Sequence, residues 1–431
     1  MKQVANFTAG SVCQNMFDIK TAGHIDVIYP VSCLTIRSIL KTMQIMNYFL
    51  PGIDVLLQQK KTWLSGKRIG LVSHAAAVDS KGCLGASRIN KEANLTCLMG
   101  PEHGFFGKAG AGELCNDSKH AAWNIPIFSL YGTTRKPSPS MLEKVDTIVF
   151  DIQDIGARPY TFVSTLRHVL EAAAENNKEV IVADRPIPLP NIIDGPMAEE
   201  MFSSFVAMIP GPMSYGMTPG ETALWLNDQL GLNLNLKVAK MQNYFCQAER
   251  QEDWSPFIPP SPAIVSWDSA ACFPATVFCE GLQSIDCGRR TCLPFQVIGS
   301  KWINGEILSG FLSALKLPGV RFIPHKYNSR PGKGSSAIFN GVWIKITDPG
   351  RFRPILTAIS IIYSLQKIYG REKVWNKHTT RIDWFDKLFG TDTVRLALFD
   401  GDDGWTIAAR WQKDLTKYNK QREKHILYRR M

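Results

Sequence analysis

A glutamate and a histidine stand side by side at Glu102 and His103, inside the glycine-rich stretch GPEHGFFGKAGAGE (residues 100–113). A carboxyl group can give a proton to a leaving oxygen or take one from water, and an imidazole can do either near neutral pH. Glycine permits positive φ and close backbone approach, so the stretch fits a phosphate cradle, a catalytic acid on a loop, or a simple turn. The elements around it must decide between these uses.

Short apolar runs of β-forming residues predict strands at 67–73, 93–99, 125–130, 146–151 and 179–184. Continuous runs, rather than strict alternation, are typical of strands buried on both faces of a parallel sheet. Between the last two runs, segment 161–177 has its apolar residues at helical spacing. A series of such strand–helix–strand units predicts a Rossmann-like, doubly wound α/β domain with a mostly parallel sheet.

The polar residues able to do chemistry follow these strands at their carboxyl ends, the edge where open parallel sheets bind ligands. The residues expected to converge there on one cleft are Glu102, His103, Tyr131, Asp151, Gln153, Asp154, Arg158, Tyr160, Asp184 and Arg185. The first strand is followed by SHAAAVDSKG rather than G-x-G-x-x-G, and no P-loop sequence occurs, which argues against nucleotide binding. Several carboxyl groups on different strand ends favour general acid–base work.

Seven of these residues also have a purely structural alternative. The alternatives are an exposed loop position for Glu102, a backbone contact for His103, packing for Tyr131, a helix cap for Asp151 and Asp154, and an internal ion pair of Asp184 with Arg185.

Composition narrows the class of protein. The 431 residues are 45% hydrophobic and 20% charged, which predicts a globular chain of at least two domains. The formal net charge is +11, but a basic segment at 410–431 supplies much of it, so we interpret that segment as a solvated helix face and expect no nucleic-acid partner. No apolar run is long enough for a transmembrane segment. The sequence does not indicate an oligomeric state.

The ten cysteines form no C-x-x-C pair and no Cys/His metal spacing, so we expect reduced thiols, no metal and no cofactor. Residues 1–46 are predicted to be an irregular extension without a secretory signal, which favours the cytoplasm, with export by a route not visible in the sequence as the alternative. The proline-rich stretch WSPFIPPSPAI (254–264) predicts a connector between a catalytic domain at 50–255 and an α+β domain at 265–431 that closes the cleft.

Several motifs, in order along residues 50–430, resemble the exo-β-N-acetylmuramidase family of the NamZ type. They are GKRIGLVSHAAAVDSKG (66–82), GPEHGFFGKAGAGE (100–113), FDIQDIGARPYTFVSTL (150–166), ADRPIPLP (183–190), YGMTPGETA (215–223), PPSPAI (259–264) and PFQVIGSKWI (294–303). The resemblance implies a Rossmann-like domain with an auxiliary domain and a cleft between them. It also implies removal of β-linked N-acetylmuramic acid from the non-reducing end of peptidoglycan fragments.

The resemblance implies that Glu102, with His103 beside it, is the catalytic acid of a glycoside hydrolase. The candidates for the second catalytic group are Asp151, Asp154 and Tyr160, and their spacing does not decide between retention and inversion. Arg158 and Arg185 are expected to bind the lactyl carboxylate of muramic acid. The other expected substrate contacts are His74, Tyr131, Gln153, Asp184 and Arg289, with Tyr131, Tyr160 and Trp123 as aromatic surfaces for a sugar ring.

The chain departs from the family pattern in loops expected to face the ligand. His74 and Ala263 stand where relatives typically have asparagine, and Arg290 replaces a glycine in SIDCGRRT (284–291), where a side chain would strain the backbone or fill the cleft mouth. The departures leave an alternative function open, a binding protein for muropeptides or anionic sugars that is non-catalytic or altered in specificity. A weaker alternative is an enzyme acting on another anionic sugar.

Overall fold

The computed structural model describes residues 48–246, 250, 251, 254, 256–329 and 336–430, and the predicted extension at 1–46 lies outside them. All five predicted strands form. The strands of the main sheet are β1 (Arg68–Ser73), β2 (Asn94–Gly100), β3 (Ser118–Lys119), β4 (Pro126–Ser129), β5 (Thr147–Asp151), β6 (Glu179–Ala183) and β9 (Leu236–Ala239). Strands β7 (Asp194–Met197) and β8 (Pro212–Ser214) form a separate two-stranded sheet.

The main sheet has the order β3-β4-β2-β1-β5-β6-β9. Every neighbouring pair is parallel except β3 with β4. The strand order reverses direction around β1, so the carboxyl ends of β2, β1 and β5 adjoin one another. The predicted doubly wound sheet is confirmed.

Helices cover both faces of this sheet, which is why its strands are continuously apolar. The helices of this part are α1 (Gly52–Gln59), α2 (Gly85–Glu92), α3 (Pro139–Leu142), α4 (Phe162–Glu175) and α5 (Pro219–Gln229). On one face Ile53 and Ile89 pack with Leu71 of β1, and on the other Leu166 packs with Phe150 of β5. The capping box that opens α5 forms as its Thr-x-x-Glu spacing predicts.

The second part of the chain is the predicted α+β structure. An antiparallel sheet of order β10-β12-β11 consists of β10 (Val297–Ser300), β11 (Val320–Ser329) and β12 (Ala337–Ile346). Its helices are α6 (Trp267–Thr276), α7 (Gly305–Ala314), α8 (Pro354–Tyr369), α9 (Arg371–Val374), α10 (Ile382–Phe389), α11 (Thr393–Asp400), α12 (Gly404–Arg410) and α13 (Gln412–Glu423).

One apolar core runs from the main sheet into the second part, since Leu166 of α4, Phe273 of α6 and Ile359 of α8 belong to the same buried cluster. The domain boundaries at 255 and 265 therefore stay a prediction. On α13, Leu415 and Tyr418 are buried while the lysines face solvent. The interpretation of 410–431 as a solvated face is wrong for two of its arginines, because Arg422 is buried and donates to the Gly216 carbonyl, and Arg430 pairs with the buried Glu221. Among the described residues, no helix combines the length and apolarity that crossing a membrane requires.

Candidate active site

The loop that carries Glu102 turns sharply where β2 ends. His103 and Gly104 have φ values of 70° and 74°, and the Gly104 N–H donates to the Pro101 carbonyl at 2.9 Å. A side chain at Gly100 would lie 2.5 Å from the Phe105 nitrogen, so the turn can pack this tightly only on glycine. The turn directs Glu102 back over the carboxyl end of the sheet.

Glu102 is held by two donors and is only 8% exposed. The Thr161 hydroxyl donates to its Oε2 at 2.6 Å, and the Gly112 N–H donates to its Oε1 at 2.8 Å. Thr161 is the N-cap residue of α4, yet its side chain makes no cap hydrogen bond, so its hydroxyl serves Glu102 instead. The carboxyl group is therefore fixed between its own loop and the start of a helix, and not at a free surface position.

His103 ties its loop together. Its Nδ1 lies 2.8 Å from the Ala109 carbonyl, and the Ala109 N–H donates to the His103 carbonyl at 3.2 Å. Because a carbonyl can only accept, Nδ1 carries the hydrogen of this bond. The structure thus gives His103 the backbone contact considered as its alternative role, and this contact shapes the loop beside Glu102.

Two tyrosines border Glu102. The pKa of Tyr131 is raised by burial and by the neighbouring Glu102 carboxylate, while the Arg135 guanidinium, 5.1 Å from its ring centroid, opposes the shift. The pKa of Tyr160 is raised well above its usual value by burial, with the charges of Asp154 and Glu102 adding to the effect. Both phenols therefore stay protonated near neutral pH and can donate a hydrogen bond inside the site.

Asp154 is enclosed by the protein, with only 4% of its surface exposed. Its Oδ2 accepts a short hydrogen bond from the Tyr215 hydroxyl. Burial raises its pKa to about 6, although the bond from Tyr215 works in the opposite direction. The Asp154 charge adds to the rise in the Tyr160 pKa, although the Asp154 side chain does not face solvent.

Asp151 and Arg185 form an ion pair with one another at 2.5 Å between Oδ1 and Nε. Asp151 is fully buried and Arg185 is 3% exposed, and the Arg185 Nη1 also donates to the Val78 carbonyl at 2.9 Å. The internal ion pair considered for Arg185 exists, but its partner is Asp151 rather than Asp184. Neither Asp151 nor Asp154 caps α4, because Thr161 occupies that position.

Asp184 is the centre of a separate buried network. It accepts hydrogen bonds from the Thr218 hydroxyl at 2.8 Å, the Gly220 N–H at 2.7 Å and the Tyr428 hydroxyl at 2.6 Å. Burial raises its pKa to about 7, against the effect of the Tyr428 bond. These contacts join the start of α5 and the C-terminal segment to the sheet, and they direct Asp184 to protein groups rather than to a ligand.

His74 and Gln153 connect neighbouring strand ends. The Gln153 N–H donates to His74 Nε2 at 3.0 Å, and the Gln153 side-chain amide donates to the carbonyls of Asp154 and Pro186 at 2.9 and 2.7 Å. Burial, with help from the positive charge of Arg185, lowers the pKa of His74 to about 3. His74 is therefore a neutral bridge between loops.

Arg158 differs most from its expected place. It is fully buried, and it donates to the backbone carbonyls of Pro196, Gly211 and Phe389. Burial alone lowers its pKa to about 9. This guanidinium joins three segments of backbone and is enclosed, with its remaining Nε donor also buried, so it is not exposed to a substrate carboxylate.

The second part of the chain contributes an ion pair near Tyr131. Arg289 and Glu280 contact each other, with 32% and 27% of their side chains exposed. The Trp384 indole N–H also donates to Glu280 Oε2 at 3.2 Å, and the Glu280 charge adds to the rise in the Tyr131 pKa. Arg289 is thus the predicted arginine that solvent reaches. Its neighbour Arg290 is exposed and does not have a positive φ, so the expected strain at the replaced glycine is absent there.

Three rings stack beside the Glu102 loop. His120 lies 3.9 Å from Trp123 between ring centroids, nearly parallel to it, and 6.2 Å from Phe106. Phe106 is 54% exposed, which leaves its face accessible to a sugar ring. The sequence had indicated Trp123 but not Phe106.

The structure therefore brings Glu102, Tyr131, Tyr160 and Thr161 together, and it assigns Asp151, Arg158, Asp184 and Arg185 to the surrounding framework. Sequence reasoning missed Thr161, Gly112, Arg135 and Glu280, whose contacts are visible only in three dimensions. Among the described residues, no group of three or more His, Cys, Asp or Glu side chains is arranged to hold a metal ion. The chemistry available is that of a buried carboxyl group flanked by phenols and hydroxyls.

Family models match nearly the whole of the described chain. The model for "Exo-beta-N-acetylmuramidase NamZ, N-terminal" matches residues 69–268, and its C-terminal counterpart matches residues 271–428. The chain belongs to the exo-β-N-acetylmuramidase NamZ family. The N-terminal NamZ match contains Glu102, Tyr131 and Tyr160, and the C-terminal NamZ match contains Glu280 and Arg289.

Individual NamZ relatives agree with this assignment. The peptidoglycan β-N-acetylmuramidase NamZ of Bacillus subtilis (strain 168) is 36% identical over 380 residues, which cover 88% of this chain and 91% of that protein. Two crystal structures of DUF1343 family proteins from Bacteroides fragilis each cover 89% of this chain and 99% of their own. Their TM-scores are 0.82 and 0.67, at 32% and 25% identity.

Proposed function

We propose that this protein is an exo-acting glycoside hydrolase that removes β-linked N-acetylmuramic acid from the non-reducing end of peptidoglycan fragments. One observation supports it above the others. A chain of the NamZ family holds a buried carboxyl group, Glu102, at the ligand-binding edge of its sheet, oriented by Thr161 and Gly112.

Glycoside cleavage requires a proton for the leaving oxygen and stabilisation of an oxocarbenium-like transition state. In our proposal Glu102 donates that proton, and the two donors that fix it keep the carboxyl group aligned with the glycosidic oxygen. Tyr131 and Tyr160 remain protonated beside it, because burial raises the pKa of both. In our proposal the Tyr131 hydroxyl donates to a sugar oxygen, while the Tyr160 hydroxyl is enclosed by the protein.

Muramic acid differs from glucosamine by its lactyl carboxylate, which a guanidinium recognises well. Of the arginines expected to bind it, Arg158 and Arg185 are buried in contacts with the protein itself. Arg289 is partly exposed at the wall of the site, so we propose it as the group that binds the substrate carboxylate.

We also propose that the enzyme acts in the cytoplasm on imported wall fragments. The cysteines of the described part are all free thiols, which fits a reducing compartment. Fractionation of producing cells tests this, since an active enzyme found outside the membrane would contradict it.

Two isomeric disaccharides test the proposed function. N-acetylmuramic acid β-linked to N-acetylglucosamine should be cleaved, because the muramic sugar is at its non-reducing end. The reverse disaccharide, with N-acetylglucosamine at the non-reducing end, is the matched control and should remain intact. Cleavage of neither by folded protein, with the first still raising its melting temperature, would instead indicate a binding protein.

A further inference from the structure

Glycoside hydrolases of this kind normally use two carboxyl groups, and the two aspartates expected to supply the second are enclosed. Asp151 is fully buried in its ion pair with Arg185. Asp154 is 4% exposed and accepts from the Tyr215 hydroxyl. A group that activates water must reach both that water and the sugar, so neither aspartate is placed for this role.

Glu280 belongs to a segment that packs against the site. The Tyr160 ring packs 5.5 Å from the ring of Phe273 in α6, and α6 leads through Thr276 into the 3₁₀ turn Val277–Glu280. The segment that packs against the site therefore ends at Glu280. The electrostatic effect of both glutamates on the Tyr131 hydroxyl agrees with this placement.

The Glu280 carboxylate is both oriented and accessible. Arg289 contacts its Oε1, and the Trp384 indole N–H donates to its Oε2 at 3.2 Å. A carboxylate can accept about four hydrogen bonds, so these two contacts leave room for a water molecule. Its side chain is 27% exposed, in contrast to the enclosed aspartates.

We propose that Glu280 is the second catalytic carboxylate, which takes a proton from the water that attacks the sugar. This proposal rests on the proposed function. The water oxygen bonds to the anomeric carbon while the bond from that carbon to the leaving oxygen breaks. The leaving oxygen takes the proton of Glu102, and Glu280 takes one from the water. Glu102 ends ionised and Glu280 protonated, and exchange with solvent restores both.

The proposed step is a single displacement, in which water attacks the anomeric carbon directly. Enzymes that form a covalent intermediate hold their carboxyl groups about 5–5.5 Å apart, whereas direct attack by water needs roughly 6.5–9.5 Å. A single displacement by water inverts the anomeric carbon. The first sugar released from a β-glycoside should therefore be the α-anomer.

Leaving-group dependence separates the two glutamates. Kinetics of Glu102→Gln and Glu280→Gln are compared on 4-nitrophenyl β-N-acetylmuramide, which has a good leaving group, and on the disaccharide, which has a poor one. Glu102→Gln should lose much more activity on the disaccharide than on the nitrophenyl substrate. Glu280→Gln should lose about a hundredfold or more on both, the size typical of a positioned general base.

Controls make the outcome decisive. Glu306→Gln, an exposed glutamate of α7, should retain wild-type kinetics. If Glu280→Gln folds poorly, Glu280→Asp keeps the charge but retracts it by one methylene, and it should also lose activity on both substrates. Azide should partly restore Glu280→Ala and yield a glycosyl azide.

Wild-type rates within threefold for Glu280→Gln or Glu280→Asp, or a β-anomer as the first product by NMR, would overturn the assignment. A wild-type enzyme that releases no N-acetylmuramic acid would instead contradict the proposed function itself, so the two failures are distinguishable.

Discussion

Thr161→Val tests whether the site depends on the donor that orients Glu102. The substitution keeps the shape of the side chain and removes the hydroxyl that donates to Glu102 at 2.6 Å. A hydrogen bond to a charged group contributes about 1.5–3 kcal/mol. If the bond is retained in the transition state, its loss should lower kcat on the disaccharide by roughly 10- to 150-fold.

The structure also predicts little loss of stability. Thr161 occupies the N-cap position of α4 without making a cap hydrogen bond, so valine removes no helix cap. Thr165→Val is a matched control, since it deletes a buried hydroxyl one turn later that contacts the Thr161 carbonyl and not Glu102. Steady-state kinetics and thermal unfolding of both variants decide the matter. Equal kinetics for Thr161→Val and wild type, or equal impairment of Thr165→Val, would refute the reasoning.

Three further predictions concern the surroundings of the site. The pKa of Asp184 rises from 3.8 unfolded to about 7 folded, so its carboxyl group binds more protons in the native state and its contribution to the free energy of unfolding should fall as pH rises from 4 to 7. Asp184→Asn should flatten that slope in urea titrations across this range, and an unchanged slope would contradict the assignment. Arg158→Lys should lower the melting temperature without changing KM. Arg289→Lys should raise KM and leave the melting temperature nearly unchanged. The reverse pattern would assign substrate binding to Arg158. Phe106→Ala should raise KM for glycan fragments and leave stability unchanged, because the ring is exposed, and an unaltered KM would exclude a stacking role.

The fold was predictable because its signals are local. Apolar runs such as 146–151 and 179–184 became β5 and β6, and the helical spacing between them became α4. The carboxyl-end rule then placed Glu102 at the correct edge of the sheet. The turn at His103 and Gly104 likewise follows from glycines that are adjacent in sequence.

The partners of charged side chains were not predictable in the same way. Arg158 donates to the carbonyl of Phe389, 231 residues away, and Tyr215 donates to Asp154 from 61 residues away. No pattern along the chain encodes such pairings, because they depend on how separate elements pack. From its position after a strand, Arg158 was therefore as consistent with a ligand contact as with a structural role. Its burial decides for the structural role.

Thr161 and Glu280 show two other limits of sequence reasoning. Thr161 stands directly before a helix, where the expected role of a threonine is to cap it, yet its hydroxyl contacts a neighbouring loop. Glu280 lies in the second part of the chain, 178 positions after Glu102, and only the packing of α6 against Tyr160 brings it near the site.

The most direct test of the central claim is the activity of Glu102→Gln on the disaccharide of N-acetylmuramic acid and N-acetylglucosamine. Glutamine preserves the size of the side chain and can accept from the Gly112 N–H while its NH2 donates to the Thr161 hydroxyl, but it cannot donate a carboxylic proton. We predict a fall in kcat of about 10²- to 10⁴-fold, with an unchanged melting temperature. A variant that releases N-acetylmuramic acid within threefold of the wild-type rate would show that Glu102 is not the catalytic acid.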